Sequence, residues 1–411
     1  MVGHIEKCQV CSGTELVTIL DYGHQRPVHG HLKPAQLDEE EIFYPLKLCF
    51  CKACGQAQLD YIVDPKVVFH PEYPYLSSLT NMLVSNFREL AETSIKRFRL
   101  AEGDLVVDIG SNDGTLLKGF HEKGMRVLGI EPTNISKISV ENGVPSWQEY
   151  FTENTVKKII ETYGKAKIVT ATNVYAHISD PVNLTKNIKD LLLPDGVFIS
   201  ESQYFYDTVE KMQIDEVYDE HLRYNSLKPM MKLLAKGGMS MIDAERSSAA
   251  GGSIVVYAKV GNHAPSQRIA DLLKAEEAFG LYDVEILKKF GKRAVIVKHK
   301  LVSLLLECKR RGRIVGIGAP GRSNTLLGFI RVDNTILDYA VEKKGSPKIG
   351  LYTPNTHIPI LDEEILFKEQ PEFGLLLSWH IGDELMKKLR ASGYKGKFIM
   401  PLPEPHLVDY I

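Results

Sequence analysis

The sequence predicts an α/β protein in which a small metal-stapled unit precedes two open, largely parallel sheets. Three observations predict it. Two Cys-x-x-Cys pairs fall within the first 54 residues, and two strand–glycine loop–helix units follow, one opening at Leu105 and one at Arg313. A chain of 411 residues is too long for one ordinary core, and the elements below divide it at 1–72, 73–262 and 263–411.

Composition narrows the class. Apolar residues are 44% and charged residues 25% of the chain, a globular balance without the low-complexity runs of a disordered one. Fifty Lys and Arg stand against 52 Asp and Glu, and the one basic cluster is "KRRGR" at 309–313, so no general grip on nucleic acid is expected. No run of about 18 apolar residues exists, so no membrane span is expected. The start, "MVGHIEKCQVC", lacks the apolar stretch of a signal peptide, and paired cysteines suit a reducing compartment. A cytoplasmic protein is expected, with a monomer as the working assumption.

Cys8 and Cys11 are separated from Cys51 and Cys54 by 39 residues. Each pair can wrap one side of a tetrahedral zinc ion, and Gly13 and Gly55 follow where the backbone must turn around it. A redox role needs only one pair, so structural Zn²⁺ is the stronger reading. Cys49 is a fifth thiol, which strand alternation would point the same way as Cys51. The segment between the pairs reads as short strands and loops, with the metal supplying folding energy that so small a core lacks.

A helix at 79–99 leads into "DLVVDIGSNDGTLLKGFHEKGMRVLGIEP". Here a buried strand, Leu105–Ile109, runs into a glycine loop, a helix, a second strand over 126–130 and then Glu131. A dinucleotide loop needs Gly-x-Gly-x-x-Gly, but Gly110 is followed by Asn112 and Asp113, which would crowd or repel phosphate. Asp108 and Glu131 instead favour a cationic ligand without phosphate. S-adenosylmethionine is such a ligand, and Glu131 is placed to accept its ribose hydroxyls. This is the arrangement of a class I, Rossmann-like methyltransferase domain; the blander alternative is that both acids only cap strand ends. A strand at 167–178, a helix at 180–191, the "LPDGVF" turn and a strand at 254–259 continue the pattern. Asn173 and His177 lie toward the carboxyl end of that strand, where open sheets bind ligands.

Between the two sheet units stands "VYDEHLRYNS", with Tyr218, Asp219, Glu220, His221 and Tyr224 crowded together. The run is either a solvated loop whose Asn225 or Ser226 caps the next helix, or a device for handling a proton. Further on, Gly316-x-Gly318-x-x-Gly321 with Asp338 fits an NAD(P)-dependent nucleotide-sugar oxidoreductase. It fits equally a loop that cradles a substrate's diphosphate, with Arg322 adding charge and Ser323 a hydroxyl. A long amphipathic helix at 263–311, interrupted at Gly280 and Gly291, is expected to bridge the central and C-terminal domains.

The paired Cys-x-x-Cys motifs, "HPEYPYLSS", "VVDIGSNDGTLL", "NVYAHI", "YDEH" and "GIGAPGRSNTLL" occur in the order seen in sugar C-methyltransferases, and the chain resembles that family over essentially its whole length. The resemblance implies a zinc-binding domain, a methyl-donor domain and a C-terminal Rossmann-like α/β domain for a nucleotide sugar methylated at carbon 3. It implies His221 as the base, with Glu220 and Tyr218 beside it, and draws Tyr73, Tyr75, Ser77, Ser78 and Tyr224 toward the sugar. The chain departs from the family pattern at Gly328 and at Trp379-His380, which bear on the nucleotide contacts. The chemistry is coherent, because carbon has no lone pair to take a methyl group. A proton next to the 4-ketone must leave first, and an imidazole suits its removal.

Overall fold

The computed structural model describes residues 2–69, 76–79 and 81–408. Its central sheet has seven strands in the spatial order Met239–Ser247, Ser253–Val260, Leu192–Gln203, Ala166–Thr172, Leu105–Ile109, Arg126–Ile130 and Ser146–Trp147. The last five are parallel, and Ser253–Val260 runs antiparallel to both of its neighbours. This is the expected class I methyl-donor sheet. Leu105–Ile109 is buried along its whole length, as a strand covered on both faces must be. Leu83, Phe87, Leu90 and Ala91 of the helix Asn81–Phe98 pack in the core with Val106 and Val127.

The strand expected at 167–178 stops at Thr172. Asn173 turns to φ +55°, a conformation its short polar side chain tolerates, and its N–H donates to the Glu201 carbonyl at 2.7 Å. Residues 173–178 therefore form a loop at the carboxyl edge of the sheet instead of a continuing strand.

The N-terminal four-stranded sheet has the order Arg223–Tyr224, Ala57–Leu59, Tyr44–Cys51 and Leu16–Gln25. Its first member comes from the polar run: Arg223 pairs with Gln58 and Tyr224 with Ala57. The residues just after His221 thus belong, by hydrogen bonding, to the cysteine-bearing sheet. The C-terminal sheet, in the order Ile360–Asp362, Leu337–Glu342, Ile314–Ile317, Phe373–Leu376, Lys397–Met400 and His406–Val408, is parallel except for its last strand.

The long helix differs from expectation. It is two helices, Gln267–Phe279 and Val284–Lys309, divided at Gly280, which caps the first at φ +80°. Gly291 does not interrupt the second. A Cβ there would lie 1.9 Å from the Ile19 carbonyl oxygen, so glycine allows the helix to press onto Leu16–Gln25. Leu287, Phe290, Ala294 and Val297 share one core with Ile19, Leu48 and Ile314. Gln267–Phe279 packs on the central sheet, with Ile269 in its core, while Val284–Lys309 packs on the N-terminal and C-terminal sheets, so the pair of helices links the central and C-terminal units and engages the N-terminal sheet as well.

Candidate active site

Residues of the N-terminal, central and C-terminal units together line a cavity of about 670 Å³. It is bounded by the carboxyl ends of the central strands, the Glu216–His221 run, the Pro320–Arg322 turn and His29 from the N-terminal unit.

At the donor end, Asp108 is 2% exposed, and its carboxyl accepts the Thr170 hydroxyl at 2.6 Å. Burial lifts its pKa to about 7; the Thr170 bond opposes the rise and the Glu131 charge adds to it. Glu131 accepts Asn112 N–H at 3.0 Å through one oxygen, and the N–H and hydroxyl of Thr133 at 2.9 and 2.8 Å through the other. Part of its acceptor capacity thus shapes the loop itself. Asn112 takes φ +51° and accepts Ser77 N–H at 2.9 Å, fastening the segment 76–79 over the loop. Gly110, at φ +67°, has no room for a side chain, since a Cβ would meet Val174 at 2.4 Å. Among the described residues lining the cavity, Asp108, Glu131, Asp180, Glu216 and Glu220 face one arginine, Arg322. Such a wall suits a cation.

At the opposite end His221 is 2% exposed, with its Nδ1 3.3 Å from the Glu216 carbonyl oxygen. A carbonyl only accepts, so Nδ1 carries the hydrogen and Nε2 keeps its lone pair in the neutral ring. Burial drives its pKa well below the ordinary value, and the charge of nearby His177 lowers it further, so the ring is held neutral. The Tyr218 ring lies 4.0 Å and the His177 ring 5.0 Å from it, centroid to centroid, and His177 stacks on Phe69 at 5.5 Å. Burial, with Glu216 and Glu220 adding, raises the Tyr218 pKa well above its usual value and keeps its hydroxyl protonated. Glu220 lies 3.6 Å from Nε2 of His29.

Arg322 lines the cavity, but its charge is already matched. It grips Asp215 through two bonds of 2.6 and 2.9 Å, pairs with Glu216, and leaves Asp215 to accept Trp379 Nε1–H at 2.8 Å. A guanidinium held by two buried carboxylates brings little net charge to a diphosphate, which corrects the expectation drawn from its place after the glycine loop. Ser323 turns inward, its hydroxyl donating to the Pro320 carbonyl at 2.7 Å. Gly318 makes its turn at φ +80°, against Ser378. Neither lines the cavity. Asp338 stands near the start of its strand, paired with Lys309 and Arg313, at the opposite edge of the sheet from the glycine loop, so it is no ribose acceptor.

Tyr224 is also displaced from its expected place. Its ring is in the core and its hydroxyl accepts Tyr218 N–H at 3.1 Å, so it braces the run from behind. Ser77 lines the cavity, whereas Ser78 is exposed and its N–H donates to Asp113 at 2.9 Å. Tyr73 and Tyr75 lie outside the described residues. His29 and Glu216 are among the lining residues that escape the sequence reading. No spacing signal marks them, because each reaches the cavity through tertiary packing.

The four thiols Cys8, Cys11, Cys51 and Cys54 lie within 4.8 Å of one another, with Cys8–Cys54 and Cys11–Cys51 both at 3.5 Å. Sulfurs about 2.3 Å from a central zinc would be about 3.8 Å apart, so the cluster fits a tetrahedral ion. The N–H groups of Val10 and Gly13 point at the Cys8 and Cys11 sulfurs at 3.4 and 3.3 Å, as thiolate ligands require. Cys49 stays outside the cluster beside the Thr18 hydroxyl.

Comparison with known proteins agrees with this geometry. Three family profiles match in order: a zinc binding domain over residues 8–69, a methyltransferase domain over 83–244 and a C-methyltransferase C-terminal domain over 248–403. The chain is 29% identical over 417 residues to the C-methyltransferase NovU of Streptomyces niveus, covering 100% of this chain and 98% of that protein. A stretch of 103 residues, 24% of the chain, is 30% identical to a ubiquinone biosynthesis O-methyltransferase of Acinetobacter baylyi and covers 43% of it. A solved S-adenosylmethionine-dependent methyltransferase from Clostridium acetobutylicum matches 44% of this chain and 92% of its own at 14% identity, with a TM-score of 0.36. Sheet order, acidic donor pocket and relatives define an S-adenosylmethionine-dependent methyltransferase. Within that class the three profiles and the full-length similarity to NovU mark a C-methyltransferase with an N-terminal zinc-binding domain and the dedicated C-terminal domain.

Proposed function

We propose that the enzyme methylates carbon 3 of a nucleotide-diphosphate-linked 4-keto-6-deoxy sugar, in the cytoplasm, in deoxysugar biosynthesis. One observation carries the reading: a buried, neutral imidazole with Nε2 available shares one cavity with an acidic pocket suited to a sulfonium. S-adenosylmethionine, when bound, supplies the electrophilic methyl group.

The chain's own residues do the rest. His221 Nε2 takes the proton from carbon 3, and its other nitrogen shares the positive charge with the Glu216 carbonyl. The Tyr218 hydroxyl donates to the oxygen of the developing enolate. Glu220 steadies the imidazolium. Asp108, Gly110, Asn112, Glu131 and Asn173 shape the donor side, His177 stands between it and the base, and Ser77 lines the sugar side; the roles expected of Tyr73 and Tyr75 lie outside the described residues. Because the walls are acidic, the uncharged sugar ring enters the chamber and the diphosphate stays toward the C-terminal unit outside it.

The test is solvent-deuterium exchange on candidate 4-keto sugar nucleotides with S-adenosylhomocysteine present. Deuterium entering at carbon 3 with wild-type enzyme, and not with His221→Asn, is the expected result. Methyl transfer to an oxygen acceptor without such exchange would overturn the reading.

A further inference from the structure

We propose that His29, supplied by the N-terminal zinc-bearing unit, is a positioning residue for the methyl-transfer site: it holds the Glu220 carboxylate in place beside the base. The proposal rests on the reading of His221 as that base.

The geometry around His29 is built, not incidental. Its backbone neighbour Val28 is clamped from two other units, its N–H donating to Asp219 at 3.1 Å and its carbonyl accepting from Asn324 at 2.7 Å. A tight turn, Gly30 N–H to the Pro27 carbonyl at 2.9 Å, then fixes where the chain enters and leaves. The imidazole lies against Gly321, where an added Cβ would meet ring atoms Cε1 and Nε2 at 2.6 and 2.9 Å. It therefore fills the space beside the first residue of the helix Gly321–Ile330 that follows the glycine loop. The third glycine of that motif makes room for a side chain of this same protein.

From that seat Nε2 stands 3.6 Å from a Glu220 oxygen, with 10% of the histidine side chain and 3% of the glutamate side chain exposed. A carboxylate buried so deeply needs a hydrogen-bonding or charged neighbour to stay in one orientation. His29 Nε2 stands at electrostatic-contact distance, beyond a hydrogen bond, and so brings a polar group of the zinc-bearing unit into the reaction chamber.

Three variants of the full zinc-loaded enzyme separate this role from simple packing. His29→Ala should lower kcat at least tenfold, leaving the affinity for S-adenosylmethionine within twofold. His29→Gln, whose amide N–H can reach where Nε2 lies, should recover most of that loss. His29→Phe fills the space over Gly321 but has no N–H, and should stay as low as alanine. An active phenylalanine variant together with an inactive glutamine variant would overturn the proposal. A substrate-free reading uses ¹⁵N-histidine NMR with S-adenosylhomocysteine bound. Glu220→Gln should move the His29 Nε2 resonance, and an unmoved signal would break the pairing. If wild-type enzyme turns over no keto sugar nucleotide, the functional reading fails while the NMR result still decides the His29–Glu220 pair.

Discussion

His221 Nδ1 and the backbone carbonyl of Glu216 lie 3.3 Å apart, and the Glu216 side chain is at the same time paired with Arg322 of the C-terminal unit. The orientation of the proposed base is thus set by a residue whose own position depends on another domain.

Arg322→Met should therefore act on stability and on chemistry together. It leaves Asp215 and Glu216 as buried, uncompensated carboxylates, a change that costs about 3–5 kcal/mol in comparable sites. Denaturant unfolding should show that loss, and the folded fraction should bind S-adenosylmethionine normally while turning over slowly. Full stability would show that the ion pair is not holding the two units together.

His221→Asn should reduce turnover by at least a hundredfold, the usual contribution of a positioned base. Calorimetry should find donor affinity nearly unchanged, since the ring faces the acceptor. A variant with near wild-type kcat would remove His221 from its role.

The pH dependence follows from the direction of its shift. Burial holds the His221 pKa well below 6.5, and the ring must be neutral to accept a proton, so activity is lost only as pH falls through that depressed value. The acidic limb of kcat/KM for the acceptor, which reports the free enzyme, should lie clearly under pH 6.5. A limb at or above 6.5 assigned to His221 would contradict the buried, neutral state.

Asp108, with a pKa of about 7, is partly protonated at neutral pH before the donor arrives. A bound cation favours the ionised form, so donor binding between about pH 6 and 7.5 should release protons. Calorimetry in buffers of different ionisation enthalpy measures this release, and Asp108→Asn should abolish it. Glu131→Gln should weaken donor binding about tenfold through the loss of charge-assisted hydrogen bonds.

Zinc removal offers a separate check. Cys51 ends the strand that pairs with Ala57–Leu59, which in turn pairs with Arg223–Tyr224. A chelator should abolish turnover while the donor pocket, built on the central sheet, still binds S-adenosylhomocysteine. Retained turnover in metal-free protein would uncouple the two.

Much of this was legible in the chain. Leu105–Ile109 and Arg126–Ile130 are read at their true ends, because a continuous apolar run closed by a glycine or an acid has few other solutions. The four zinc ligands were legible from spacing alone. The strand Ala166–Thr172 is shorter than the 167–178 expected, since "NVYAHI" is as apolar as a strand and the backbone turn at Asn173 ends it. Arg322 and Tyr224 were misjudged for another reason. A charge or a hydroxyl near a motif is free on paper, whereas Asp215, Glu216 and the backbone of Tyr218 arrive from elsewhere to engage them. His29 was invisible: nothing in "VHGHL" says that its loop will land on Gly321.

The two-residue ladder between Arg223–Tyr224 and Gln58–Ala57 has a practical meaning for anyone recombining such enzymes. Sequence numbering invites a cut between the first and second units, yet the loop carrying the imidazole is stitched to the first. A hybrid that exchanges one without the other would inherit mismatched halves of a single fitting, so residues 2–69 and 216–226 should travel together as one cassette.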